Sequence, residues 1–550
     1  MNARAPTGHA APPAPSAELT VAEQVRMVDG LRRQLQAAQS ALQPGGLAPV
    51  ELIETHISFV LLADGFAYKF KRAVNPGFLD FTTLALRWHY CHEELRLNRR
   101  LAPDLYLDVV GVHGSAEAPT LGGPGPLIDC AVRMRAFPQQ GLWDRLIARD
   151  ALQATQVDEL AGLLVGFHRD AAVADARARF GHPAQVRTPL RDSLAALDQL
   201  LHGATEHAQV RTLQAWEART GDALEPVFTN RRHEGRVREC HGDLHLGNVT
   251  QIDGHAVVFD CIEFNDDFRW IDVMSDLAFL AMDLRCHGRA DLAHRLVDGY
   301  LERSGDYGGA HVLRYYIVHR ALVRAKVAAL RDAQDATATV HRAAHEAVAH
   351  YLDQAVAGSQ PPHPALLITH GFSGSGKTSL TQGLLEAIGA VRVRADVQRK
   401  RLFDLAPLER GAAPLYTQQA TEATYTHLLD TARELLQAGF SVVLDATFLQ
   451  RRHRDAAHDL ARALRLPFAI LHFDADVPTL RERLARREAR GDDASDAGLA
   501  VLEEQLRTAQ PLAPDELHHV HHCVPVPDCT PPQVDWSPLL QRLAAGGLAP

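Results

Sequence analysis

The stretch His241-Gly-Asp-Leu-His-Leu-Gly-Asn248 sets an aspartate and an asparagine five positions apart, and the apolar run Val257-Val-Phe leads into a second aspartate, Asp260. A carboxylate can orient a hydroxyl and accept its proton. An amide oxygen and a second carboxylate make a pair of hard ligands suited to magnesium on a polyphosphate. Asp243, Asn248 and Asp260 carry those groups within twenty residues, each beside a short apolar segment. The pattern suits phosphoryl transfer from ATP to a hydroxyl. Asp and Asn also form turns through their own backbone, but turns alone do not call for all three together.

A second constellation lies downstream. Ala365-Leu-Leu-Ile-Thr-His reads as a buried strand and runs into Gly371-Phe-Ser-Gly-Ser-Gly-Lys-Thr378, with the helix-prone stretch Leu380–Ile388 behind it. This is a complete G-x-x-x-x-G-K-T in its proper strand-loop-helix setting. Backbone N–H groups of Gly371, Ser373, Gly374, Ser375 and Gly376 can curl round phosphates, Lys377 can reach the outer ones, and the Thr378 hydroxyl can bind magnesium. Phe440-Ser-Val-Val-Leu-Asp445 is an apolar strand closing on a carboxylate, which places Asp445 to hold a magnesium-bound water.

These groups need elements to position them. Helical spacing predicts a helix over Val21–Leu42, ended by Gln-Pro-Gly-Gly. Asp64-Gly65 between two β-prone runs predicts a hairpin. Its second strand, Phe66-Ala-Tyr-Lys69, has the order of a kinase phosphate lysine. Strand alternation puts Ala67, Lys69 and Lys71 on one face, so Lys71 is a rival to Lys69. Such a lysine is normally held by a helix glutamate. The helical segment Trp88–Leu101 offers Glu94, with Glu93 as the alternative. Ile128–Phe137 reads as the last small-lobe strand. Leu160–His168 is helical, with His168 read as a packed core histidine. Leu292 to about Ala357 is helical again. Thr479–Arg490 is an arginine-bearing segment suited to a lid over ATP, with Arg487 and Arg490 foremost. His241 and His245 read as braces of their loop, and Glu263 as a group near substrate or metal. His518–Cys523 reads as a histidine-rich strand edge rather than a metal site.

The pattern His-Gly-Asp-x4-Asn resembles the aminoglycoside phosphotransferase family, relatives of the protein kinases. The resemblance implies Asp243 as catalytic base, Asn248 and Asp260 as magnesium ligands, and Asp276 as a structural aspartate. Glu94 matches the family's E-x6-L spacing to Leu101. The glycine-rich loop of protein kinases is absent, as it is from the antibiotic kinases. In the second half, Asp396-Val-Gln-Arg399 resembles the D-x-x-R of polynucleotide 5′-hydroxyl kinases and small-molecule P-loop kinases. That resemblance implies Asp396 as base and Arg399 as a brace for acceptor or phosphate. The whole order is similar to bacterial two-domain proteins that join an aminoglycoside phosphotransferase-like domain to a polynucleotide-kinase-like P-loop domain, over about 51–350 and 365–525.

The expected architecture is therefore α/β and α+β in two domains. A disordered tail covers 1–20, and a bilobal kinase-like domain covers 21–356, with its small lobe at about 45–137 and its large lobe at about 138–356. A linker spans 357–364, and a P-loop α/β domain with a parallel sheet spans 365–550. Among 550 residues, hydrophobic ones make up 46% and charged ones 23%, an ordinary globular balance. A net charge of −10 argues against a broad nonspecific nucleic-acid surface. Seven scattered cysteines without a C-x-x-C pair fit a reducing cytosol. No apolar run reaches membrane-spanning length. The expected activity is an ATP- and Mg-dependent phosphotransferase with two centres, each acting on a hydroxyl of a small molecule. Its rivals are a silent nucleotide-sensing half, or a P-loop half that phosphorylates nucleic-acid 5′ ends.

Overall fold

A computed structural model describes residues 18–42, 49–334, 338–406, 409, 417–490, 494–526 and 533–544. The expected tail falls almost wholly outside them. The chain divides into two compact units, one from residues 1–152, 166–182 and 232–276, the other from 153–165, 183–231 and 277–550.

The first unit is built on strands β1 (Glu51–Glu54), β2 (Ser58–Ala63), β3 (Phe66–Lys71), β4 (Tyr106–Gly114), β5 (Pro119–Leu121) and β6 (Leu127–Arg135), in the order β1-β2-β3-β6-β4-β5. The Asp64-Gly65 turn has both residues at positive φ, 49° and 74°, which matches the twist of the strands it joins. Ile128–Phe137, last in sequence, lies inside the sheet as β6, paired to β3 and β4. Alternation gives the sheet two apolar faces. Phe59, Leu61, Phe70 and Ala131 meet Met27, Val28 and Leu31 of the helix Val21–Leu42. Tyr106, Cys130 and Val132 meet Cys91 of the helix Leu84–Asn98. That second helix is capped by Thr83, whose side chain accepts from the Leu86 amide.

The same unit holds two small two-stranded antiparallel sheets, the second of them a hairpin. β7 (Val237–Glu239) pairs with β10 (Trp270–Asp272), and β8 (Val249–Ile252) pairs with β9 (His255–Val258). The β8–β9 register sets Val249 opposite Val258. It therefore brings the residues just outside the hairpin, Asn248 and Phe259, face to face, and the Phe259 amide donates to the Asn248 carbonyl at 3.1 Å.

The second unit carries β11 (Leu366–His370), β12 (Val391–Arg394), β13 (Val442–Asp445), β14 (Phe468–His472) and β15 (Val520–His522), all parallel, in the order β12-β13-β11-β14-β15. The central strand β11 is buried along its whole length, as expected of a parallel sheet covered on both faces. The helix Lys377–Ile388 follows it and packs Leu380, Leu384 and Leu385 beside Leu367, Val443 and Trp536. Helices Ala154–Asp170 and Ala204–His233 lie mostly in this unit, and Pro183–Leu200, Ala290–Ser304, Ala310–Gln334 and Ala338–Ser359 lie wholly in it. The last of these runs into the first residues of the 357–364 segment. Among the described residues the cysteines are free, and no helix is long and apolar enough to cross a membrane.

Candidate active sites

In the first unit the loop at 241–248 is held from behind by Asp276. One carboxylate oxygen accepts the His241 amide at 2.7 Å and the other the Gly242 amide at 2.8 Å, and the buried His168 ring lies 3.4 Å away. Gly242 has φ +89°, and a Cβ there would come within 2.6 Å of the Phe268 carbonyl, so the turn requires glycine. His168, Cys240 and Asp276 bring ligand atoms within 4.8 Å of one another. The Asp276 oxygens already serve two amides, so this cluster acts as a brace.

Both loop histidines are braces as well. His241 accepts the Asp243 amide on Nδ1 (3.2 Å) and its Nε2 donates to the Phe259 carbonyl (2.8 Å). His245 accepts the Gly247 amide on Nδ1, which leaves its Nε2–H facing Asp243 at 3.5 Å. Asn248 donates through Nδ2 to the Asp243 carbonyl (2.9 Å) and carboxylate (3.2 Å). Its carbonyl oxygen is thereby turned away from Asp243, the orientation a metal ligand requires. Asp260 sits at φ +67° with its amide donating to the Tyr106 hydroxyl at 3.1 Å. The next amide, Cys261, donates to Asn98, so the helix that carries Glu94 also sets the backbone at Asp260.

Lys69 bonds Asp260 and lies 2.9 Å from Glu94 Oε1. Lys71 bonds Glu263 and donates to Glu94 Oε2 at 2.7 Å. The alternation reading is upheld, and both lysines converge on one glutamate. Glu94 is fully buried, whereas Glu93 pairs with Arg96. Burial alone would lower the Lys69 pKa, but the Asp260 and Glu94 carboxylates overcome it and hold it well above the ordinary value. Burial would raise Glu94, and the two lysines reverse that. Glu263 goes the other way, raised by burial that Lys71 only partly offsets. It pairs with Lys71 and also lines a small pocket with Tyr90, Phe264 and Arg269. The Phe259 amide bonded to the Asn248 carbonyl brings Asp260, the next residue, up to Asn248, and the two side chains offer oxygen donors only, which suits a hard cation that keeps several waters.

In the second unit the loop 371–376 wraps as expected. Gly371 sits at φ +148°, and a Cβ there would meet the Phe473 carbonyl at 2.4 Å. Lys377 is buried and donates to the carbonyls of Gly371 (3.0 Å) and Phe372 (2.8 Å). Burial lowers its pKa to about 8 against the pull of Asp445 and Asp396. The Thr378 hydroxyl donates to Asp445 at 2.6 Å, so the two expected metal-site groups are in contact. Gln505 grips Ser373 twice, accepting its amide and donating to its hydroxyl, each at 2.9 Å. Ser375 keeps a buried hydroxyl without a hydrogen-bond partner.

A cavity of about 1090 Å³ is lined by Gly374, Gly376, Lys377, Thr378 and Asp445 together with Asp396 and Arg399. Asp396 lies in the first turn of the helix Ala395–Leu402, but the cap is Arg394 and makes no side-chain cap bond, so Asp396 does not serve as an N-cap. On the arginine-bearing segment Val477–Arg490 the side chains divide. Arg483 is the residue that reaches the loop, donating to the Gly374 carbonyl at 3.3 Å. Arg487 lines the cavity while donating to the Ala497 carbonyl at 2.6 Å, and the Arg490 side chain lies outside the described residues. Helical spacing explains this: on Val477–Arg490, residue 483 faces the loop one turn before 487. Sequence reasoning also missed Gln505, a lone glutamine with no motif around it. Of the histidines near 520, His521 and His522 lie on the edge strand β15, while His519, in the 3-10 turn Leu517–His519 before it, packs against His458 and Phe468.

Two family models match the chain: a phosphotransferase enzyme family over residues 89–316 and an AAA domain over 366–512. An uncharacterized Mycobacterium tuberculosis protein, Rv2004c (strain ATCC 25618 / H37Rv), is 31% identical over 459 residues, covering 82% of this chain and 89% of its own. A gluconokinase of Gluconobacter oxydans (strain 621H) is 30% identical over 154 residues, 28% of this chain and 79% of the relative. A solved choline/ethanolamine kinase family protein from Mesorhizobium loti aligns with a TM-score of 0.36 at 14% identity, over 60% of this chain and 99% of that one.

Proposed function

Because this chain belongs to the family of proteins that join a phosphotransferase-type, kinase-like domain to a P-loop domain with a parallel sheet, we propose that it is an ATP- and magnesium-dependent kinase with two centres, each phosphorylating a hydroxyl. The observation that carries the reading is that four segments meet: the loop of Asp243 and Asn248, the strand end at Asp260, the strand of Lys69 and the helix of Glu94, with Lys69 paired to both Asp260 and Glu94.

In the first centre Asp243 orients the acceptor hydroxyl and takes its proton, with its carboxylate steered by Asn248 and His245. Lys69, held by Glu94, donates to phosphate oxygens. Asn248 and Asp260 would hold magnesium, which when bound neutralises charge on the phosphates. Catalysis is then mainly positioning and electrostatic stabilisation. In the P-loop centre, backbone amides and Lys377 receive the phosphates, Thr378 and Asp445 would hold the metal, and Asp396 orients the acceptor. Arg394, Arg399, Arg483, Arg486 and Arg487 all line that cavity, which favours an acceptor bearing negative charge. The gluconokinase relative supports a small polyhydroxylated acid over a nucleic-acid end.

The test is phosphate transfer from γ-labelled ATP by the full chain to a panel of sugar acids, polyols, amino alcohols, antibiotics and 5′-hydroxyl oligonucleotides. It is repeated with Asp243→Asn and with Lys377→Ala. Each variant should silence one set of acceptors. Label transfer indifferent to both substitutions refutes the two-centre reading.

A further inference from the structure

The helix Ala290–Ser304 lies within the residues that match the phosphotransferase model, yet one of its faces is spent on the P-loop sheet. His294 donates to the Glu386 carbonyl at 2.7 Å. Arg295 donates to the Glu386 carboxylate at 2.7 Å while its other nitrogens fork onto Asp158 at 2.8 and 2.5 Å. Glu386 belongs to the helix that follows the P-loop. Farther along, buried Asp298 accepts the Arg392 amide of β12 at 2.7 Å, and Glu302 lies 3.7 Å from Arg394.

The spacing explains the match. Residues 298 and 302 are separated by about 6 Å along a helix, and residues 392 and 394 by about 6.6 Å along a strand. Two acids and two arginines therefore meet in register. Past the helix, Arg401 donates to the Glu302 carbonyl at 2.7 Å, and the Tyr307 hydroxyl accepts from Gln398 at 2.9 Å. Arg392 passes the constraint on, donating to the Thr378 carbonyl at 2.6 Å and to Gln382 at 3.1 Å.

We infer that the helix Ala290–Ser304 and Tyr307 form a positioning element of the P-loop centre. Asp298 acts through Arg392 on the backbone of Thr378. Glu302 and Tyr307 act on the helix that carries Asp396 and Arg399. The P-loop centre is thus completed by residues outside the segment that matches the AAA model. This rests on the P-loop being a nucleotide centre, as proposed above.

The experiment uses the full chain and follows amide hydrogen exchange by mass spectrometry, with MgATP-dependent protection of residues 371–378 titrated as a local binding curve. Asp298→Asn combined with Glu302→Gln removes both charges and keeps the acceptor oxygens. The expected result is about a tenfold weaker MgATP midpoint, with exchange at 374–378 and 392–399 at least fivefold faster and β14 at its parental rate. Tyr307→Phe is isosteric and serves where the double variant does not fold. It should speed exchange at 395–402 alone, leave the MgATP midpoint in place, and lower ATP turnover severalfold. Parental exchange at 374–378 in the double variant, or at 395–402 in Tyr307→Phe, overturns the inference. The parent judges the underlying reading separately. If MgATP gives residues 371–378 no protection in it, the nucleotide centre is wrong, while the exchange rates without nucleotide still decide whether the helix positions the loop.

Discussion

Glu94 receives Lys69 on one carboxylate oxygen and Lys71 on the other, at 2.9 and 2.7 Å, inside a fully buried site. The two lysines nevertheless lead to different places. Lys69 continues to the partly exposed Asp260, and Lys71 to the buried Glu263.

That division predicts different phenotypes. Lys69→Ala should weaken ATP binding at the first centre at least tenfold and cost less stability than Lys71→Met, because its second partner, Asp260, is partly exposed. Lys71→Met should leave Glu263 and half of Glu94 without a partner in the interior. Breaking such a buried pair costs about 3–5 kcal/mol, so the urea midpoint should fall sharply while residual ATP affinity persists. Equal loss of ATP affinity in both variants would reject the assignment of Lys69 to the phosphates.

Glu94 also predicts an acid limb. Its folded pKa lies below the unfolded value because the lysines hold the charged form. Its contribution to stability is present above the ordinary glutamate range and is lost as pH falls through the folded value. Urea midpoints measured from pH 6 down to pH 3 should decline, and Glu94→Gln should flatten the decline from a lower starting point. A parallel pair of curves counts against this.

Asp243→Asn preserves shape and the contact with Asn248 but removes the proton acceptor. Turnover at the first centre should fall by about 10²–10⁴-fold, with ATP affinity within about twofold of the parent. Isothermal titration and label transfer on one preparation measure both. Undiminished turnover removes Asp243 from the chemistry.

Lys377 ionises at about 8 in the free chain, since burial outweighs the carboxylates near it. Phosphate oxygens around the amine favour its charged form and raise that value. At pH 8.5–9, binding of MgATP should therefore take up a proton at this centre. Titrations in buffers of different ionisation enthalpy read the uptake directly. Lys377→Arg, charged throughout this range, should abolish it. Proton release in the parent is the contrary result.

Asp276→Ala should leave the His241 and Gly242 amides unpaired in the interior. At about 1–3 kcal/mol for each unsatisfied buried group, the variant should lose several kcal/mol in chemical denaturation, and first-centre turnover should disappear with it. A stable variant of unaltered activity would show that the loop holds its shape without the carboxylate.

What was legible in the sequence was whatever a single local element sets out. The 241–248 loop, the P-loop, the Asp64-Gly65 hairpin and the helix Val21–Leu42 each follow from short-range spacing, because chain geometry fixes where residues a few positions apart point. Strand alternation even placed Lys69 and Lys71 on one face, yet it left open which lysine meets which acid. Tertiary structure decided that through Glu263, 192 residues from Lys71. It also decided that Gln505 grips Ser373 across 132 positions, that Arg483 rather than Arg487 touches the loop, and that Asp298 holds β12 from 94 residues away. Such pairs leave no periodicity in the chain. They arise only when packing of apolar faces brings separate elements together and buried charges must find partners where they land.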